Sequence, residues 1–183
     1  MKTHFLFFLL FSYLSVQAQL TVNNDPPNDS PIYLVNDILL GDGVQASNHV
    51  YQGDSIQIGF FDASASNLGL NSGIVMSTGD ISILDPNFVG FGDFINIDPP
   101  VSDPDLLDVA NSVPALIGQN FIVQDINDVA VLEFDFIPSS DTVTFRYVFG
   151  SQEYFAFENS QYNDVFGFFI SGPGIVGPYA SPP

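Results

Sequence analysis

Residues 129–149 read VAVLEFDFIPSSDTVTFRYVF. Residues 129–137 alternate, with Ala130, Leu132, Phe134 and Phe136 on one side and Val129, Val131, Glu133, Asp135 and Ile137 on the other. A period of two is that of a half-buried β-strand. Pro138-Ser139-Ser140-Asp141 has turn composition, and Thr142–Phe149 alternates again with Val143, Phe145, Tyr147 and Phe149 on one side. Asp164–Ser171 (DVFGFFIS) reads as a third strand, closed by Gly172-Pro173-Gly174.

Working back from that stretch, the same class of signal recurs. Val44–Tyr51 and Ser55–Phe61 are strand candidates around Gly53-Asp54, and Gly73–Thr78 is short and β-prone. Ser30-Pro31 is a helix start, followed by Leu34, Val35, Ile38 and Leu39 at helical spacing and by Gly41, which predicts one short helix over 31–40. Residues 79–120 are rich in Asp, Pro, Gly and Asn and read as a long loop region with a short helical piece near Asp105–Ala110. Residues 19–30 read as an irregular leader. No internal repeat occurs. The expected class is all-β: an antiparallel β-sandwich or jelly-roll-like sheet pair with one or two short helices.

Residues 1–18 (MKTHFLFFLLFSYLSVQA) have the form of a signal peptide. Lys2 is the positive end, Phe5–Leu14 the apolar run, and Val16 and Ala18 the small-residue cleavage positions. The run is too short to span a bilayer, which takes about 20 residues. Export to a secreted or cell-surface location is therefore expected, with no transmembrane segment in the chain.

Composition excludes several functions. The 183 residues carry 2 Lys+Arg against 21 Asp+Glu, a formal charge of −19. Loss of Lys2 with the signal leaves Arg146 as the one Lys or Arg. So acidic a chain does not hold nucleic acid through phosphate contacts, and anionic membrane surfaces are disfavoured. It has no Cys, hence no disulfide framework, thiol nucleophile or Cys-ligated zinc. Hydrophobic residues make up 46%, enough for a core, so acidity does not mean disorder.

Catalysis has little support. After Ala18 there is one His, His49, in a polar stretch with no G-x-S-x-G elbow, and it reads as a surface residue rather than part of a triad. Paired carboxylates of a glycosidase always find candidates among 21 acids, so that signal discriminates little.

Metal chemistry is better founded. The acids are mostly Asp, a hard oxygen ligand of the kind calcium takes, although Asp is also an ordinary turn and cap residue. Candidate groups are Asp98/Asp103/Asp105/Asp108, Asp125/Asp128, and Glu153/Glu158/Asn163/Asp164; none follows the EF-hand spacing. The last group flanks the most unusual stretch, Phe145–Phe169, which holds Arg146 and a dense set of aromatics. Those aromatics read most simply as core. Arg146 is expected to find a carboxylate partner. Glu153, Glu158, Asn163 and Asp164 would converge on calcium or a ligand beside the loop between two strands.

Five blocks together resemble the choice-of-anchor L domain, a family of exported bacterial surface proteins frequent in Bacteroidota. They are LVNDILLGDGVQASN (34–48), IQIGFF (56–61), LGLNSGIVMSTGDI (68–81), DPDLLDVA (103–110) and VLEFDFIPSSDTVTFRYVFGSQEYFAFENSQYNDVFGFFISGPG (131–174). The resemblance assigns 31–183 to one such domain. It implies an adhesion-type surface role with attachment supplied elsewhere, and carries no catalytic residues across. The family's signature positions fall on Gly150, Glu153, Tyr154, Asn163, Asp164, Phe166, Gly167, Gly172 and Gly174. Family members commonly have an acid where this chain has Gln152, which takes one ligand from a calcium site in this loop. The family domain also continues past Pro183, so the chain is expected to be C-terminally truncated, with an anchor or sorting module beyond. The reading that follows is a non-catalytic binding or adhesion module, calcium-assisted, with an extracellular glycan or protein as partner. A structural spacer is the alternative, and a secreted polysaccharide hydrolase the less favoured one.

Overall fold

The computed structural model describes residues 19–88, 102–151, 157, 160 and 164–177. The expected signal peptide lies outside them.

The chain opens with strand β1 (Gln19–Asn23), where Leu20 and Val22 are half-buried and the alternate residues exposed. The leader is therefore not irregular throughout. Its first five residues alternate, and a neighbouring strand supplies the hydrogen bonds that local sequence cannot. A turn then leads to helix α1 (Pro31–Tyr33), which runs on as a π-helix over Leu34–Leu39. The Ser30 hydroxyl accepts from the Tyr33 amide at 3.4 Å, and the Leu40 amide closes the last turn on Val35 O at 3.0 Å. This is the short helix that the Ser-Pro start predicts. Leu34 and Val35 are fully buried, each worth about 1.5–3 kcal/mol of apolar transfer.

Strands β2 (Gln45–Gln52), β3 (Ile58–Ala65), β4 (Ser72–Met76) and β5 (Val131–Ile137) complete the ladders, and helix α2 (Pro104–Leu116) lies between β4 and β5 in sequence. Two antiparallel sheets result: β1-β3-β4, with β3 central, and β2-β5. The all-β antiparallel class with two short helices is thus present; a closed sandwich or jelly roll goes further than these five strands. β2 and β3 flank the Gly53-Asp54 turn yet belong to different sheets, and Ser55–Gln57 is a 3₁₀ turn rather than the start of a strand. The core gathers Leu34, Val35, Ile58, Phe61, Ala63, Ile81 and Val129.

Helix α2 is longer than the expected 105–110 piece. Asp103 caps it through Leu106 N at 2.8 Å, and Pro104 occupies the first turn. Pro114 sits in the final turn, which closes through Ile117 N to Val113 O at 3.2 Å.

Two expected strands, Thr142–Phe149 and Asp164–Ser171, join no ladder among the described residues. They meet through side chains instead.

One buried polar side chain connects the parts. Gln57 has no exposed surface. Its Oε1 accepts from Asp54 N at 2.7 Å, and its Nε2 donates to Asp128 O at 2.8 Å, three residues before β5. Its backbone amide reaches Asp54 O and its carbonyl accepts from Ser77 N. Gly53, at φ +149°, makes room: a Cβ there would lie 2.7 Å from the Tyr51 hydroxyl and 2.9 Å from Gln57 Oε1. The Tyr51 hydroxyl donates to Asp54 O at 2.8 Å. Burial, with the Asp54 charge adding, pushes the Tyr51 phenol well above its ordinary value.

Gln57→Leu removes both bonds of a fully buried amide and leaves the part-buried Asp54 amide and Asp128 carbonyl without it, which should cost about 1–3 kcal/mol, read as a fall in urea midpoint at unchanged m-value. Tyr51 makes a second prediction. A phenol with a raised folded pKa contributes stability that is complete below its unfolded value, about 10, and is lost as pH rises above it. Melts from pH 8 to 11.5 should therefore fall more steeply for the native chain than for Tyr51→Phe. The variant should start about 1 kcal/mol lower at pH 8, having lost one hydrogen bond.

Candidate binding face

After β5 the chain turns at Pro138–Asp141, where the Ser140 hydroxyl donates to Thr142 O at 2.9 Å and accepts from Thr142 N at 3.3 Å. Residues 142–151 then run antiparallel to 164–171. Ring pairs fix the alignment: Phe145 on Phe168 with centroids 4.1 Å apart and planes at 16°, and Tyr147 on Phe166 at 5.3 Å. Phe145 also stacks along its own segment on Tyr147 at 6.1 Å, and Phe149 leans on Phe166 at 6.2 Å. The Ser151 hydroxyl bonds Asp164 Oδ2 at the far end. Alternate residues of each segment therefore share one side, and the five rings form a continuous ladder.

That ladder faces solvent. Tyr147 is 60% exposed, Phe168 55% and Phe166 45%. The core reading of these aromatics is corrected: no described element covers the side they share. The reverse side is tied down at two points. Arg146 donates from its guanidinium to Gly69 O at 2.6 Å, in the β3–β4 loop. Gly167 lies against α2, where a Cβ would meet Leu106 Cδ2 at 2.9 Å and the Phe169 ring at 2.5 Å. Arg146 thus projects opposite to Phe145 and Tyr147, as alternation requires. Its described partner is a backbone carbonyl where a carboxylate was expected.

Of the four candidate calcium ligands, Asp164 is described, beside Ser151; Glu153, Glu158 and Asn163 lie outside the described residues. Two members of the other acidic groups have local duties. Asp103 caps α2, and Asp128, at φ +55°, offers its carbonyl to Gln57. Asp98 also lies outside the described residues. Among the described residues no three His, Asp or Glu side chains gather as a metal set.

A second feature escaped the sequence reading. β2 carries a bulge: Ser47 pairs with Asp135 and Val50 with Glu133, so Asn48 and His49 share the place opposite Phe134. Asn48 takes φ +53° and donates to Asp135 Oδ2 at 2.5 Å. His49 stacks on Phe134 at 6.3 Å and meets Asn36 Oδ1 of the π-helix at 3.3 Å. Its described neighbours are an amide and a ring, not the members of a triad. The residue pair Asn48-His49, with Asn tolerant of the left-handed region, was the one available signal.

Among the described residues no helix is long and apolar enough to cross a membrane. No curated protein and no solved structure matches the chain. A family model does, over residues 21–180, and it is the model of the choice-of-anchor L domain. That span takes in all but the first two residues of β1, the other strands, both helices and the aromatic ladder, and the chain belongs to the choice-of-anchor L domain family.

Proposed function

We propose that this domain is a non-catalytic binding module of adhesion type, exported to the cell surface or beyond, that engages an extracellular glycan or protein through the aromatic ladder. Five exposed, mutually stacked rings held against α2 and the β3–β4 loop carry this reading. Contiguous exposed apolar surface on a supported element marks an interaction site more often than it marks idle surface. Aromatics supply large contact area with little side-chain entropy to lose. Membership in the choice-of-anchor family supports a surface-associated role.

Calcium is the proposed assistant. Asp164 and the Ser151 hydroxyl offer hard oxygen at one end of the ladder. With Glu153, Glu158 and Asn163 they would hold the ion and order the loop beside the rings.

Binding of the chain to immobilised neutral oligosaccharides and extracellular proteins should be saturable, and should disappear in Phe145→Ser/Phe168→Ser while the far-UV spectrum is retained. Absence of binding across the panel would favour a spacer. Polysaccharide hydrolysis that Asp164→Asn or Glu153→Gln abolishes would make the protein a hydrolase instead. Calcium at about 100 times its Kd should add about 2.7 kcal/mol, a rise of roughly 5–10 °C over EDTA that Asp164→Asn removes. An unchanged midpoint would remove calcium from the proposal.

A further inference from the structure

The ladder's surroundings bear on what it binds. The chain has 21 acids against two Lys+Arg, and one of the two, Lys2, lies in the segment read as a signal. The other, Arg146, is spent on the reverse side, on Gly69 O. Among the described residues no Lys or Arg is therefore left to sit over the rings. Carboxylates stand at both ends of the 142–151/164–171 pair: Asp141 in the turn that opens it, and Asp164 where it closes. Asp164 is two residues from Phe166, whose ring stacks on Tyr147.

Aromatic faces carry negative potential and attract cations. A guanidinium adds planar stacking on a ring and a fork of N–H donors that fits a carboxylate. One Asp164 oxygen accepts from Ser151, and an ionised carboxylate has acceptor capacity for a guanidinium beyond that bond. Anionic glycans and nucleic acid meet a field of the wrong sign. A second copy of this chain meets the same repulsion. Neutral glycans need several directed hydrogen bonds, and the ladder offers mostly phenylalanine edges and faces.

Building on the binding role proposed above, we infer that the ladder's partner is an arginine-bearing, extended protein segment: its guanidinium groups stack on Tyr147 and Phe166 and, in the calcium-free domain, pair with Asp164. The acidic field of the domain steers the segment in, and the rings select arginine over lysine.

The test is calorimetric titration of the full chain at 150 mM salt in EDTA. The probes are a dodecapeptide of alternating Arg and Ser, its Lys and Glu counterparts, and cellohexaose. The Arg peptide should bind, the Lys peptide several-fold more weakly, and the Glu peptide not at all. Phe166→Ser should weaken the Arg peptide by about tenfold or more, and Asp164→Asn by a smaller factor. Tyr147→Ser, at the most exposed ring, provides the same test should Phe166→Ser fail to fold, and Phe166→Tyr should bind as the native chain does. Binding of the Arg and Lys peptides alike, indifferent to every ring substitution, would reduce the effect to net charge and overturn the inference. Ring-dependent binding of cellohexaose without binding of the Arg peptide would overturn the inference and leave the binding role standing. Ring substitutions without effect on any probe, and no bound member in the oligosaccharide and protein panel, would end both.

Discussion

The buried side chain of Gln57 is the constraint on which the arrangement rests. A primary amide has two donors and two acceptor sites, and burial makes each unmet one costly. Here the oxygen takes the Asp54 amide and the nitrogen meets the Asp128 carbonyl. The residue stands at the entrance to β3, the middle strand of one sheet, and its far partner stands at the entrance to β5 in the other. Seventy-one residues of sequence are thereby closed by one amide. Gly53 and Tyr51 shape the small loop that presents it. A leucine of similar volume would fill the space but specify nothing about which backbone groups meet.

The acidity and the rings fit together through the same economy. Asp residues serve the backbone wherever the chain bends: Asp54, Asp62, Asp80, Asp85 and Asp103 each accept from an amide two or three residues on. At Asp62 the Ser64 hydroxyl and amide hold the carboxyl below its usual range. Turn chemistry of this kind accounts for a share of the negative charge without any metal. The five rings of the ladder, Phe145, Tyr147, Phe149, Phe166 and Phe168, answer to something else. They stack on one another and remain open to solvent, while glycine and arginine on the reverse side make the attachments.

Much of the fold is legible in the sequence where a local signal and its tertiary use coincide. The alternation of 131–137 became β5, and Ser30-Pro31 capped the helix it announced. Failures came where the deciding partner is distant. β1 is a strand because β3 lies beside it, and QLTVN alone is too short to say so. The aromatic segments alternate as buried strands do, and period alone cannot tell a face turned to the core from a face turned to a partner. Of the candidate site, alternation gave the opposed sides of Arg146 and the rings, but not the carbonyl that receives the guanidinium.

The bulge in β2 has a consequence for how such a chain changes over generations. Gln45–Ser47 and Val50–Gln52 keep the same pleat against β5 only because Asn48 and His49 absorb one surplus residue between them. Even-numbered and odd-numbered positions exchange sides at that point. A single-residue insertion in a strand normally turns every later side chain over, from core to water, and is purged. Here the surplus residue is held in place by bonds to Asp135 and Asn36. Such a bulge is where a strand like β2 can gain or shed a residue while the rest of the sheet keeps its partners.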